Sequence, residues 1–398
     1  MNKLIKKYRK ILALSASVFL IPATSLVIAT KCTSENNSDK NQDKESKSML
    51  LNDQYFESID AFFSKNITYS VFDPWTSKET EVTKTFWEFY KAVDATISHV
   101  IDGDTVKVTF ESIEKANEQA GKSNAFSTQE LNIRIPFIDT PEAYVITEFV
   151  LAENRKQEEK PQAEIDQIFK NLENEIAQAK SSGDNNTAQQ KTAKLNDLRN
   201  KLEINRVERS LSHFDTEYAR KLLPVGKKVK LISDNWADKS YERSVAHILF
   251  QDETTNQWKL FSLEMLKNGY TLPRLTNTEV SNYKKQTELD SEQENSDSFG
   301  ALVMPYIVNA FNYGIKQQKG FYSQEVFESI KSKYPNSISS RISTPLELSK
   351  FYGEHGNIYS DSKDFLMLPD ESEFRSLKTN SNFYKINGIF KISQIKFS

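Results

Sequence analysis

The chain has a single cysteine, Cys32, among 398 residues. That excludes an internal disulfide framework and a cysteine-built zinc site. It also lacks the excess of positive charge that coating a polyanion requires. Lys and Arg number 52 against 55 Asp and Glu, a net charge of −3. Affinity for phosphate chains grows with the cations that displace counterions. Any dealing with nucleic acid must therefore be confined to a compact local site, which suits an enzyme better than a coating protein. Histidine is scarce too. His99, His213, His247 and His355 are scattered without metal-ligand spacing. His99 and His247 fall in strand-like runs and read as packing residues. No glycine-rich nucleotide loop and no G-x-S-x-G elbow appears, so serine and cysteine nucleophile chemistry has no support.

What is present suffices for one or two buried cores with room for insertions, since 38% of residues are hydrophobic and 11% aromatic. Residues 1–10 are basic and residues 11–30 carry no charge; Cys32 follows Lys31, and then comes a polar run. That is the layout of an export signal ending at a lipid-modified Cys32. An uncleaved span is the other reading, because about twenty apolar residues can cross a bilayer. Both put the remainder outside the cytoplasm, tethered to the membrane at its extracellular face. Residues 1–31 thus form the signal or anchor, and 32–52 a flexible linker. Residues 53–90 form an aromatic-rich extension, too apolar to be disordered, that is expected to pack on the main domain.

From residue 91 the pattern becomes that of strands. Val106, Val108 and Phe110 alternate with polar residues, as do Leu131, Ile133, Ile135 and Phe137. Asp102-Gly103 marks a turn between strands. Further strands are predicted at 227–232, 244–250 and 257–261, and a helix from Ser262 to Asn268 closed by Gly269. An insertion at 145–212 reads as two antiparallel helices projecting from the core. Ile165, Ile168, Leu172, Ile176 and Ala179 make one stripe, and Leu195, Leu198 and Leu202 the other. A helix is expected at 302–318. Residues 323–398 look like a separate small α+β unit, with a capping box at Thr344-Pro345-Leu346-Glu347 and a hairpin at Asn387-Gly388. The fold class is α+β.

Three segments carry chemistry: Val100-Ile-Asp-Gly-Asp-Thr-Val106, Arg134-Ile-Pro-Phe-Ile-Asp-Thr-Pro-Glu142 and Tyr241-Glu242-Arg243. A phosphodiesterase needs cations aimed at the oxygens of the reacting phosphate. It gains from a hard divalent ion held by carboxylates and carbonyls, and from a carboxylate beside the attacking water. Asp104, Asp139 and the Thr140 carbonyl could hold the ion, Glu142 the water, and Arg134 and Arg243 the phosphate. Taken singly, each segment has a plainer explanation: a hairpin turn, a helix start with Thr140 as N-cap, and a surface ion pair for Arg243.

In combination and order, the three segments resemble the staphylococcal-nuclease (thermonuclease-like) family, with its I-D-G-D-T-V turn, R-x-x-x-x-D-T-P-E and D-x-Y-x-R. The likeness runs through Glu264-Met-Leu-Lys-Asn-Gly-Tyr270 to Lys319-Gly-Phe-Tyr322, so the matching domain is 91–322 without the insertion. Ser240 is an added residue, and Glu242 and Ser244 stand where glycines are usual. The resemblance implies a five-stranded OB-type barrel with flanking helices, whose groove accepts single strands. It also implies Ca2+ at Asp104, Asp139 and Thr140, with Asp102 behind them. Glu142 would activate water, Arg134 and Arg243 would stabilise the transition state, and Tyr241 would contact a nucleotide phosphate. The expected activity is hydrolysis of DNA, with RNA as a second candidate, to 3′-phosphorylated products, degrading external nucleic acid for nucleotide uptake. No protein partner is inferred for that activity. A noncatalytic OB module that binds nucleic acid or a host protein at the surface is the alternative.

Overall fold

Alternating apolar residues become strands where the sequence places them. The structure, a computed structural model, describes residues 53–141, 149, 159–274, 298–334, 342–345 and 347–348. The N-terminal signal, Cys32, the linker, Glu142 and the Asn387-Gly388 hairpin therefore lie outside the described residues. Among the described residues, no helix is long and apolar enough to cross a membrane.

In chain order the elements are α1 (Asp53–Phe62), β1 (Asn66–Asp73), β2 (Lys78–Thr85), α2 (Phe86–Phe89), β3 (Val93–Asp102), β4 (Thr105–Thr109), α3 (Ile113–Gln119), β5 (Glu130–Arg134) and β6 (Ile138–Asp139). Then come α4 (Gln162–Ser181), α5 (Asn185–Leu222), β7 (Lys228–Ile232), β8 (Lys239–Ser240), β9 (Arg243–Val245), β10 (His247–Gln251), β11 (Trp258–Leu260) and α6 (Phe261–Lys267). The series closes with β12 (Leu272–Pro273), α7 (Phe299–Lys316), a 3-10 turn (Gly320–Tyr322) and α8 (Gln324–Lys333).

Eight strands form one mixed sheet in the order β11-β10-β7-β3-β4-β5-β9-β8, curled into a half-barrel. All its pairs are antiparallel except β5 with β9, which run parallel. Val106, Val108, Ile133 and Ile135 turn into the core and are fully buried, as the period of two requires. The predicted run 244–250 splits in two at Ala246. Gly269 takes φ +72° directly after α6, the left-handed position that favours glycine at a helix end.

The aromatic extension does pack on the main body. Phe56, Ile59, Phe63, Ile67 and Phe86 belong to the main core, and buried Asp60 accepts a hydrogen bond from Lys259 Nζ at 2.6 Å. The predicted C-terminal unit is not separate where it is described. Val326, Phe327, Ile330, Ile342 and Leu348 lie in that same core. Thr344 caps as expected, accepting from the Glu347 N–H at 3.2 Å, while Glu347 reaches the N–H of Ser343 rather than that of Thr344.

The insertion forms the helical pair α4–α5 with its own apolar seam of Phe149, Ile165, Leu172, Ile176, Leu195, Leu198 and Leu202. Burying each large aliphatic side chain contributes about 1.5–3 kcal/mol, which is enough to hold the pair together. The expected end at residue 212 is corrected. α5 runs 38 residues without a break, and its second half, with Val207, Leu211 and Ala219, is buried in the main core.

Candidate functional site

Ladder register brings the predicted residues together. Thr105, the first residue of β4, pairs with Arg134, the last of β5. Arg134 pairs in turn with Val245 of β9, two residues beyond Arg243. The turn Asp102-Gly103-Asp104 therefore sits at the strand ends where both arginines emerge. After Arg134 the chain doubles back through Phe137, whose φ of +68° is left-handed. A non-glycine residue pays on the order of 1–2 kcal/mol there. The ring of Phe137 is braced edge-on against His247, with centroids 5.2 Å apart. The reversal returns Asp139 to Arg134.

Arg134 is the hub, and only 5% of its surface is exposed. Its Nη1 pairs with Asp104 Oδ2, and its Nη2 donates to Asp139 Oδ1 at 2.9 Å and to the Ile138 carbonyl at 3.1 Å. Asp104 Oδ2 also accepts from the N–H and hydroxyl of Thr140 at 3.2 and 3.0 Å. The other oxygen, Oδ1, accepts from the Thr105 hydroxyl at 2.8 Å. The same hydroxyl oxygen accepts from Arg243 Nη1 at 2.8 Å. Arg243, Thr105, Asp104, Arg134 and Asp139 thus form one connected chain of polar contacts.

Asp102 stands behind the turn, accepting from the Asp104 N–H at 3.1 Å. Burial pushes its carboxyl above the usual range, and the charges of Arg134 and Arg243 oppose that. Burial likewise pushes the Arg134 guanidinium below its ordinary value, and Asp139 pulls it back up. The cations Arg274 and Arg243 press in the same direction as burial.

The carboxylates of Asp104 and Asp139 already share one cation, the Arg134 guanidinium. With the Thr140 carbonyl they offer hard oxygen donors, the set that suits an alkaline-earth ion. Among the described residues no three carboxylate, imidazole or thiol side chains surround a common point. A bound ion would therefore take part of its shell from backbone carbonyl and water.

Tyr241 occupies the tip of the β8–β9 hairpin at φ +56°, with 90% of its surface exposed. The Arg243 guanidinium carbon lies 5.9 Å from its ring centroid. Ser244 is buried and accepts from Lys239 Nζ at 2.5 Å. Between Glu242 and Ser244, Arg243 faces the turn through its bond to Thr105. His247 packs in the core as read, whereas His99 is exposed on β3 and is not a packing residue.

Three participants were not singled out from the sequence. Thr105 links Arg243 to Asp104. Arg274 follows β12, its N–H bonded to the Phe137 carbonyl at 2.9 Å, beside β6. Asp215 of α5 is fully buried against the turn. Thr105 had a signal, its place inside the Asp-Gly-Asp-Thr motif. The other two depend on tertiary packing alone. No protein-family model matches the chain, and no curated protein matches it significantly.

Proposed function

We propose that the protein is a membrane-anchored, calcium-dependent phosphodiesterase of the thermonuclease-like type, built on an OB-type barrel. It acts outside the cell on DNA, with RNA as a second candidate substrate. The observation that carries this reading is the Arg243–Thr105–Asp104 contact, which joins segments 138 residues apart. A phosphate-sized site needs both guanidiniums on the same side as the carboxylates, and this contact supplies that arrangement.

Asp104, Asp139 and the Thr140 carbonyl would hold calcium, which when bound supplies Lewis-acid polarisation and a template for the phosphate. Arg134 is paired with both carboxylates in this structure and offsets one of their two charges, so its release toward a phosphate requires that their charge be met by another cation. Arg243 presents a planar fork that matches two phosphate oxygens, aimed by Thr105 and by its Nε bond to the Ser240 carbonyl at 3.4 Å. Both arginines would stabilise charge that grows as water attacks. Glu142, by the resemblance, takes the proton from that water. The water oxygen bonds to phosphorus and the bond to the 5′ oxygen breaks, leaving the phosphate on the 3′ side. Tyr241 would contact a nucleotide phosphate.

The test is hydrolysis of DNA by the full chain in mild detergent, with calcium and then with excess chelator. Cleavage is expected to require calcium and to fall roughly 10²–10⁴-fold in Glu142→Gln with an unchanged melting temperature. Chelator-insensitive cleavage overturns the calcium reading. Binding without turnover, indifferent to Glu142→Gln, overturns the enzyme reading in favour of a noncatalytic module.

A further inference from the structure

Asp215 has no part in the chemistry just described, yet it lies against its central turn. A Cβ added to Gly103 would meet Asp215 Cγ and Oδ1 at 2.7 Å on one side and the Thr140 methyl at 2.7 Å on the other. Gly103 is thus clamped between the strand-end threonine and a side chain of α5. Asp215 is 0% exposed, and its Oδ1 accepts from the Thr216 hydroxyl at 3.0 Å. Its neighbours one turn away on the same helix face, Leu211 and Ala219, are buried and apolar.

We propose that Asp215 is a positioning residue for the cation-binding turn. It fixes Asp102-Gly103-Asp104 against Thr140, so that Asp104 and Asp139 face one ion. The carboxyl forms a wall behind Gly103, and the absent Cβ lets the two surfaces meet. Because α5 is the unbroken helix that also carries the insertion, the insertion is structurally continuous with the cation site. This inference rests on the calcium-dependent reading above.

The test compares calcium affinity by titration calorimetry, and melting temperature in chelator, for the full chain and its variants. Asp215→Ala, which removes the wall, and Gly103→Ala, which adds a Cβ against it, should each weaken calcium at least about ten-fold, and the double variant should weaken it less than the product of the two, because both act at one contact. Ser112→Ala, which removes the N-cap of α3 beyond the far end of β4, calibrates a purely structural loss. It should lower the melting temperature and leave calcium affinity within about two-fold. Wild-type calcium affinity in folded Asp215→Ala, or a loss no greater than that of Ser112→Ala, overturns the proposal alone. Should Asp215→Ala not fold, Gly103→Ala decides in the same way. A wild-type chain that binds no calcium overturns the functional reading and this inference together.

Discussion

A hydroxyl group that makes two hydrogen bonds determines where Arg243 points. Thr105 donates to Asp104 and accepts from Arg243, both at 2.8 Å, and is almost wholly buried. Valine has nearly the same shape but can do neither. Thr105→Val should leave the strand pairing intact and cost about 1–3 kcal/mol for the unsatisfied partners. Turnover should fall roughly 10²-fold, the penalty typical of a reacting group misplaced by about an ångström. Rates measured beside a thermal melt separate the two effects. An intact variant with wild-type turnover would show that Arg243 is aimed by other contacts. The residue scale is also where the sequence was most legible. Asp104, Arg134, Asp139, Thr140 and Arg243 were named from motif and chemistry, and the structure gathers them. Thr105 does not stand out in the sequence, because a threonine at a strand start has an ordinary explanation, its β propensity.

At the scale of elements, periodicity gave the strands and the helical pair, whose apolar stripes are local properties of the chain. α5 extends beyond the insertion for a physical reason. Between Asn186 and Leu223 no glycine or proline interrupts the sequence, so nothing local separates a projecting arm from a core helix. Only the change of partner does, from Ile165 and Leu172 of the insertion to the main core. The position of Asp215 follows from that change and could not be read beforehand. β12, two residues long, leaves no periodic trace, and neither does Arg274 beside it. The start of α7 is likewise decided at a distance. Asp234, in the loop after β7, accepts from the N–H groups of Phe299 and Gly300 at 2.7 and 3.1 Å and from the Ser298 hydroxyl at 2.7 Å. Gly300 has no room for a Cβ, which would lie 2.8 Å from Asp234 Oδ2. Asp234→Ala strips the first turn of its acceptor and should destabilise the fold by about 1–2 kcal/mol. Denaturant unfolding measures this directly. A loss under about 0.3 kcal/mol would mean that water replaces the carboxylate without penalty.

For the whole molecule, one buried histidine sets a limit on the acid side. His247 lies between the rings of Phe137 and Phe299, at 5.2 and 4.8 Å, with only 4% of its surface exposed. Burial pushes its pKa down to about 4, against a smaller opposing pull from Asp234. The unfolded chain holds this imidazole near its ordinary value of about 6.5. Between those two values the unfolded state binds the extra proton and the folded state does not, so stability falls as pH falls. The contribution is complete above about pH 6.5 and is lost as pH drops through about 4, amounting to about 3 kcal/mol at most. Carboxylates titrate over part of the same range, so the wild-type curve alone cannot isolate the histidine. His247→Phe keeps a ring in the aromatic cluster and removes the proton site. The difference between the wild-type and variant unfolding free energies, measured from pH 7.5 to 4.5, should tilt against the wild type by about 1.4 kcal/mol per pH unit below pH 6. Parallel curves for the two proteins would show that His247 is as accessible to protons in the fold as it is in the unfolded chain. In that case the Phe137–His247–Phe299 cluster could not be the dry brace that holds the left-handed Phe137 and, through it, the return of Asp139 to Arg134.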